Sequence, residues 1–356
     1  MNVHARLAAA ALILASIAAC SSEADKAAAP AAAPATATSS DVYAFRIGAL
    51  EATALKDGEI ALPNAANESP WADTAGARTA LMAAGQAGDV IHLSVQPLLV
   101  RDGDSVVLID TGAGGRMGTQ NKLMASLRAA GVDPAQVTDI LISHAHGDHV
   151  GGLAGADGRL AFPNAVIRIS EPEWEYMKAG AAKAGEAALL AAVTPKVQPF
   201  APGAQVTPSI KAVPLAGHTP GHSGYEIVSG TDRLLYLGDA LHSSIISVQR
   251  PEWINGWDTD SAAGVATRQG LLSRGATGAL RITAATSPSR AWGGSSAGTT
   301  ASSGFWKRPP SLDSGGRGRH KPALTHPARQ TREPLRTMRG PPLRSSLQLG
   351  RDRAAS

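Results

Sequence analysis

The chain of 356 residues has one cysteine, Cys20. A single thiol excludes an intrachain disulfide and any cysteine-rich zinc site. No serine or cysteine sits in a recognisable nucleophile elbow, so covalent hydrolysis of that kind has no support. Aromatic residues are scarce, at 4%, yet the apolar fraction of 44% suffices for a packed core. Long apolar runs are also lacking. The stretch Leu7–Ala19 is short for a membrane span, and no other segment is apolar enough to cross a bilayer. Acidic residues are nearly absent from the C-terminal part. From Gly275 to the end there are 14 Lys+Arg against 3 Asp+Glu, which leaves 19 against 26 for residues 1–274. A mildly acidic body therefore precedes a basic tail, and the net charge of +4 describes neither.

The N-terminus reads as a targeting segment. A positive start, "MNVHAR", leads into the apolar core and then into "IAAC". That last segment resembles the lipobox of bacterial lipoproteins, which implies a signal peptide over 1–19, cleavage before Cys20 and lipidation of its thiol. Ser21 after the cysteine implies the outer membrane, facing the periplasm. Residues 20–41, rich in Ala, Pro and Ser, read as a flexible tether.

From 42 to 274 the pattern is globular. "YAFRIGALEATALKDGEIALP" predicts a strand pair broken at "KDGE", and "IHLSVQPLLVRDGDSVVLIDTG" predicts another around "RDGD". "NKLMASLRAAGVDP" has helical spacing, with Leu123, Leu127 and Ala130 on one face. "VTDILIS" reads as a strand covered on both sides, and "AVIRIS", "IKAVPLAG" and "GYEIVSGTDRLLYL" as further strands. Helical segments lie between and after them, at "EPEWEYMKAGAAKAGEAALLAAV" and "DSAAGVATRQGLLSR". Interleaved strands and helices predict an α/β sandwich with helices outside. Residues 275–356 are of low complexity and predict disorder.

Three of the ten histidines fall in "HAHGDH", His144–His149, directly after a predicted strand. On a helix His144 and His146 would point about 200° apart and could not share an ion. On a loop they can face one side, and Gly147 lets the backbone turn. Imidazole and carboxylate suit zinc and similar divalent ions. Four such groups exceed what one tetrahedral ion takes from so short a stretch, so two adjacent ions are the natural solution. Further donors follow other strands: His218 in "AGHTPGHSG" and Asp239 in "LLYLGDALH", whose carboxylate can bridge two metals. Asp110, in "VVLIDTG", is placed to accept a hydrogen bond from a ligating imidazole.

Together "IDTG", "HAHGDH", "GHTPGH" and "GDALH" resemble the metallo-β-lactamase superfamily of hydrolases, over roughly Asp41–Arg274. The details, with "WDTD" at Trp257–Asp260, resemble the branch of methyl parathion hydrolase and the N-acyl homoserine lactonases. The resemblance implies a four-layer αββα sandwich. It assigns one metal to His144, His146 and His218, a second to Asp148 and His149, and Asp239 between them. It implies two divalent ions, most readily zinc, whose shared hydroxide attacks an ester, lactone or organophosphate; β-lactams and thioesters also stay open. Asp148 can relay a proton. His242, three residues after Asp239, stands where such lactonases often carry a substrate-contacting tyrosine. His222 reads as a turn-stabilising loop histidine, and Trp174, Trp253 and Trp257 as core or rim. The partners implied are a small-molecule substrate and, through Cys20, a membrane, with no specific nucleic acid. The alternative is a non-catalytic surface lipoprotein whose basic tail binds anionic surfaces.

The resemblance also calls for a late histidine, in a segment like "SHFPFPG", to complete the second site. Here the region reads "AATSPSRAWGG", and His320 and His326 lie far off in basic sequence. Back-translated with permitted codons and shifted by one base, Ala284–Gly293 reads "SHFPFPGVG". A frameshift near residues 270–276 that replaced the native C-terminus accounts for this, with final strands lost and the second site weakened. Sequencing the coding DNA is expected to reveal a single-base change that restores the histidine-bearing frame. A gene in which no such change does so contradicts the frameshift.

Overall fold

Strand pairing begins in the first described segment. The computed structural model describes residues 41–184, 186–277 and 281–283. There β1 (Val42–Ile47) turns at Gly48 into β2 (Leu50–Leu55), with Ile47 opposite Leu50. The expected break at Lys56–Glu59 is no hairpin turn. It separates β2 from β3 (Gly58–Pro63), which pairs instead with β4 (Val90–Val95) as a two-stranded ribbon. The cause is Asp57. Its side chain turns inward, fully buried, and accepts the amides of Ala113 and Leu123. Between β3 and β4 lies α1 (Thr74–Ala83), capped by Asp73, which accepts the Gly76 amide at 2.8 Å.

The hairpin β5 (Leu98–Asp102) and β6 (Ser105–Ile109) turns at Gly103, as "RDGD" predicts. Then come α2 (Leu123–Ala129), β7 (Asp139–Leu141), the single turn α3 (Gly147–Val150), β8 (Val166–Ser170), α4 (Glu171–Ala184) and α5 (Ala187–Val193). The chain continues through β9 (Val197–Phe200), β10 (Ile210–Pro214), β11 (Ser223–Ser229), β12 (Asp232–Tyr236), α6 (Ile246–Gln249), α7 (Ser261–Thr277) and β13 (Arg281–Thr283).

Two sheets result. The larger runs β1-β2-β5-β6-β7-β8-β9, antiparallel up to β6 and parallel from β6 to β9. The smaller runs β10-β11-β12-β13. Val107, Ile109 and Leu141 of the larger sheet meet Tyr225, Ile227 and Tyr236 of the smaller. On the opposite face of β6 and β7, Leu108 and Ile140 pack with Leu127 of α2, Trp174 of α4 and Leu189 of α5. Alternate residues thus bury on opposite faces, which is why these strands read as unbroken apolar runs. Outside the smaller sheet, Leu271 of α7 covers Leu235 and Ile282. Helix, sheet, sheet and helix make the four layers of the expected αββα sandwich.

The ordered body extends past Arg274. Helix α7 continues to Thr277, and β13 pairs parallel with Leu234–Tyr236 of β12. Its Thr283 carbonyl accepts the Leu237 amide at 2.8 Å. Apolar Ile282, 5% exposed, holds it against Leu235; one buried residue in a Gly/Ala/Thr-rich stretch gives too little pattern to read a strand. The signal segment, Cys20, the tether up to residue 40, the segment 284–293, His320 and His326 lie outside the described residues. Among the described residues no helix is long and apolar enough to cross a membrane.

Candidate metal centre

The sandwich brings several loops to one edge of its sheets. The "SHAHGDH" loop leaves β7, and His146 in extended conformation (ψ 155°) precedes α3. That one helical turn swings Asp148 and His149 back towards the sheets, where both are buried. The His149 carbonyl is held by the amide and the hydroxyl of Thr111, just beyond β6. Asp239 follows β12 in a tight turn whose Gly238 has φ +52°. A Cβ at Gly238 would lie 2.5 Å from His222 Nε2, so only glycine fits.

Three ring nitrogens converge. His144 Nε2 and His146 Nδ1 are 3.0 Å apart, His218 Nε2 lies 3.1 Å from the first and 2.9 Å from the second. Their other partners fix two of the tautomers. The Ser143 hydroxyl donates to Asp110 at 2.7 Å, so it accepts from His144 Nδ1, 3.1 Å away. His218 Nδ1 faces the Asp258 carboxylate at 3.3 Å and carries its proton there. Nε2 of both rings is therefore a lone pair, aimed at the same point. Lone pairs so close repel unless a cation lies between them. Burial, then the neighbouring imidazoles, holds the His144 ring well below its usual pKa and lowers His146 to about 4. His144 and His146 are thus neutral at physiological pH, the form in which imidazole binds metal.

Beside this socket lies a second. His149 Nδ1 donates to Asp110 Oδ2 at 2.8 Å, and its Nε2, buried and without a hydrogen bond, is 3.4 Å from Asp239 Oδ2 and 3.5 Å from Asp148 Oδ2. Burial opposes a charge on this ring, but Asp239, Asp148 and Asp110 outweigh it and raise its pKa well above the ordinary value. The same three carboxylates favour a cation at this position. Asp239 spans both sockets: its Oδ2 is 3.9 Å from His144 Nε2 and 3.8 Å from His218 Nε2, and its Oδ1 has no partner. His144, His146 and His218, and His144, His149 and Asp239, each bring their donor atoms within 4.8 Å of one another. The donor set fits divalent ions.

The surrounding side chains hold this array. Asp110, at φ +60°, accepts four hydrogen bonds: the Ser143 amide and hydroxyl, His149 Nδ1 and the Tyr236 hydroxyl. A non-glycine residue in that backbone region is strained and persists because so many contacts determine it. His222 donates to the Leu215 carbonyl and accepts the Asp239 amide at 3.2 Å, pinning the Asp239 turn. Trp174 belongs to the core under α4, and Trp253 is partly buried against the separate cluster of Trp71. Trp257 and His242 line a cleft of about 320 Å³ that opens onto His146, Asp148 and Asp239. Its other walls are mainly Ile60, Leu62, Leu93 and Met117. Both ring nitrogens of His242 are buried without hydrogen bonds, and burial lowers its pKa to about 3.

Ser143, Tyr236, Asp258 and Glu173 are the contributors that residue spacing does not reveal. Ser143 and Asp258 stand inside quoted motifs. Tyr236 and Glu173 carry no local signal, because their partners lie far off in the chain.

An αββα sandwich with two adjacent histidine–aspartate sockets at one sheet edge defines the metallo-beta-lactamase superfamily, and the chain belongs to it: residues 92–269 match that family. Among solved structures, the chain is similar to AidC, a dizinc quorum-quenching lactonase solved with a product, at 30% identity and a TM-score of 0.64, covering 69% of this chain and 90% of that one. It is also similar to the hydrolase AbOPH of the beta-lactamase superfamily, at 28% identity and a TM-score of 0.61, covering 70% and 91%. A curated relative, metallo-beta-lactamase domain-containing protein 1 of Xenopus laevis, is 30% identical over 162 residues. That match takes in 45% of this chain and spans only 55% of the relative's length.

Four buried imidazoles, those of His144, His146, His222 and His242, have folded pKa values below the ordinary 6.5. The unfolded chain takes up protons there that the folded chain resists. Their stabilising contribution is complete above about pH 6.5 and is lost as pH falls towards about 4 and below. His149 shifts the other way, so its contribution is constant below about 6.5 and is lost only as pH rises through its raised pKa. Chelator-treated protein is expected to melt at progressively lower temperature as pH falls through that acid window, followed by circular dichroism. A melting temperature that does not move there contradicts the neutral, buried state of these rings.

Proposed function

We propose that the chain is a metal-dependent hydrolase with a dinuclear, zinc-type centre, acting on an ester, lactone or organophosphate-type small molecule. The observation that carries this reading is the convergence of the His144, His146 and His218 ring nitrogens within 3.1 Å, with the Asp239 carboxylate between them and His149. In this reading His144, His146 and His218 would hold one ion and Asp148 and His149 the other, with Asp239 available to both. A pair of divalent cations, when bound, supplies Lewis acidity and water acidic enough to react near neutral pH.

The chain's own residues do the rest. Asp110 keeps the proton of His149 on Nδ1 and so frees Nε2 for coordination. Asp148, on the cleft wall, would take the proton released as water adds to the substrate and pass it to the leaving oxygen. His242 is neutral and lines the same space, its Nε2 3.6 Å from Asp239 Oδ2 and neither ring nitrogen hydrogen-bonded, so its N–H can meet a substrate oxygen. Ile60, Leu62, Leu93 and Trp257 hold the apolar part of the substrate and exclude bulk water. The likeness to a dizinc lactonase at 30% identity supports a lactone or a related ester among the substrates. The second position draws on fewer imidazoles than the first and is expected to release its metal first.

Metal analysis and a substrate panel test the proposal. Zinc-supplemented protein is expected to retain zinc, to lose it in two phases on chelation, and to hydrolyse at least one of an N-acyl homoserine lactone, an aryl ester and an aryl phosphotriester. Chelation abolishes this turnover and zinc restores it. Asp110→Asn is expected to lower metal affinity or activity by about 10- to 100-fold. Protein that binds no zinc and turns over none of the three substrates contradicts the proposal.

A further inference from the structure

Glu173 has no part in the reaction proposed above, yet its surroundings are those of a built device. It is the third residue of α4 and is 0% exposed. Its Oε1 accepts the amide of Ala145, between His144 and His146, at 2.8 Å. Its Oε2 accepts the Thr219 hydroxyl at 2.8 Å and the Gly221 amide at 2.9 Å, in the loop that carries His218. Ser170 adds a second link, accepting the Glu173 amide and donating to the Gly221 carbonyl at 2.6 Å. The fit is close: a Cβ on Gly221 would lie 2.2 Å from the Glu173 amide nitrogen.

We infer that Glu173 is a positioning residue whose carboxylate clamps the His144–His146 loop to the His218 loop and sets the spacing of the three-imidazole socket. The two loops belong to different sheets: one leaves β7 of the larger sheet, the other precedes β11 of the smaller. The Ser223 amide, donating to the Ser143 carbonyl at 2.9 Å, ties them from one side. Glu173 ties them from the other, through α4. Ordering the loops in advance removes part of the entropy that metal binding would otherwise lose.

A carboxylate is required because it offers acceptors on both oxygens. Glutamine keeps the shape but turns an NH2 group towards either Ala145 or the Thr219–Gly221 pair, so one loop is released whichever way it lies. Aspartate is one methylene short of spanning both. Burial raises the Glu173 carboxyl's pKa, while the three donors and the His218 ring pull it back. The socket gains in turn a negative charge behind it, which favours a cation.

This inference rests on the metal reading above, and its test separates the two. The full chain is prepared as wild type, Glu173→Gln and Leu189→Ala, the last a core truncation in α5 that calibrates simple loss of stability. Zinc affinity is measured by competition with a chromogenic chelator, and amide exchange at Ala145 and Gly221 in the metal-free proteins. Glu173→Gln is expected to weaken zinc binding about 10- to 100-fold, beyond any change in Leu189→Ala, and to speed exchange at both amides. Unchanged affinity, or a loss no larger than that of Leu189→Ala, overturns the clamp. If the wild type itself binds no zinc, the functional reading falls alone. Exchange at Ala145 and Gly221 then decides: faster in Glu173→Gln than in Leu189→Ala supports the clamp, and equal rates overturn it.

Discussion

The structure turns on an electrostatic debt at one sheet edge. Two imidazole lone pairs, on His144 and His218, face each other at 3.1 Å, with the His146 ring nitrogen within 3.0 Å of both. Beside them Asp110, Asp148 and Asp239 bury three carboxylates around a single ring, that of His149. Buried charge of one sign costs several kcal/mol per ion even after relaxation. Divalent cations relieve both problems at once, placing positive charge between the lone pairs and among the carboxylates. Binding of that kind also stabilises the fold, by about 4 kcal/mol when free metal stands at a thousand times its Kd.

The rest of the fold serves to bring these groups together. Asp110 lies beyond β6, the His144–His149 loop beyond β7, His218 before β11 and Asp239 beyond β12. Two sheets packed through Ile109, Leu141, Tyr225 and Tyr236 carry those loops to one edge. The inter-sheet core takes part directly, since Tyr236 gives its hydroxyl to Asp110 and Tyr225 gives its hydroxyl to the Ile142 carbonyl. Packing and site geometry are thus coupled. A change at the sheet interface would reach His149 through Tyr236 and Asp110.

Much of this was legible in the sequence because it is local. The apolar runs of β6 and β7, the "RDGD" hairpin turn at Gly103 and the cluster "HAHGDH" all express short-range rules. The grouping of His144, His146 and His218 was legible only through motif resemblance, since 72 residues or more separate His218 from the other two. Two features escaped for opposite reasons. "KDGE" has turn composition, but Asp57 serves a distant loop and not a turn. Glu173 looks like an ordinary acidic residue in the first turn of a helix, and its three donors come from 28 to 48 residues away. The sheet edge at β13 was illegible because one buried isoleucine in three residues makes no pattern.

Anomalous diffraction at the zinc edge, from crystals of the metal-loaded full chain, tests the central claim most directly. The account predicts one peak about 2.0–2.1 Å from His144 Nε2, His146 Nδ1 and His218 Nε2. It predicts a second peak beside Asp148 and His149 Nε2, with Asp239 touching both. No peak at this edge, or zinc bound elsewhere while the three imidazoles turn apart, would contradict it.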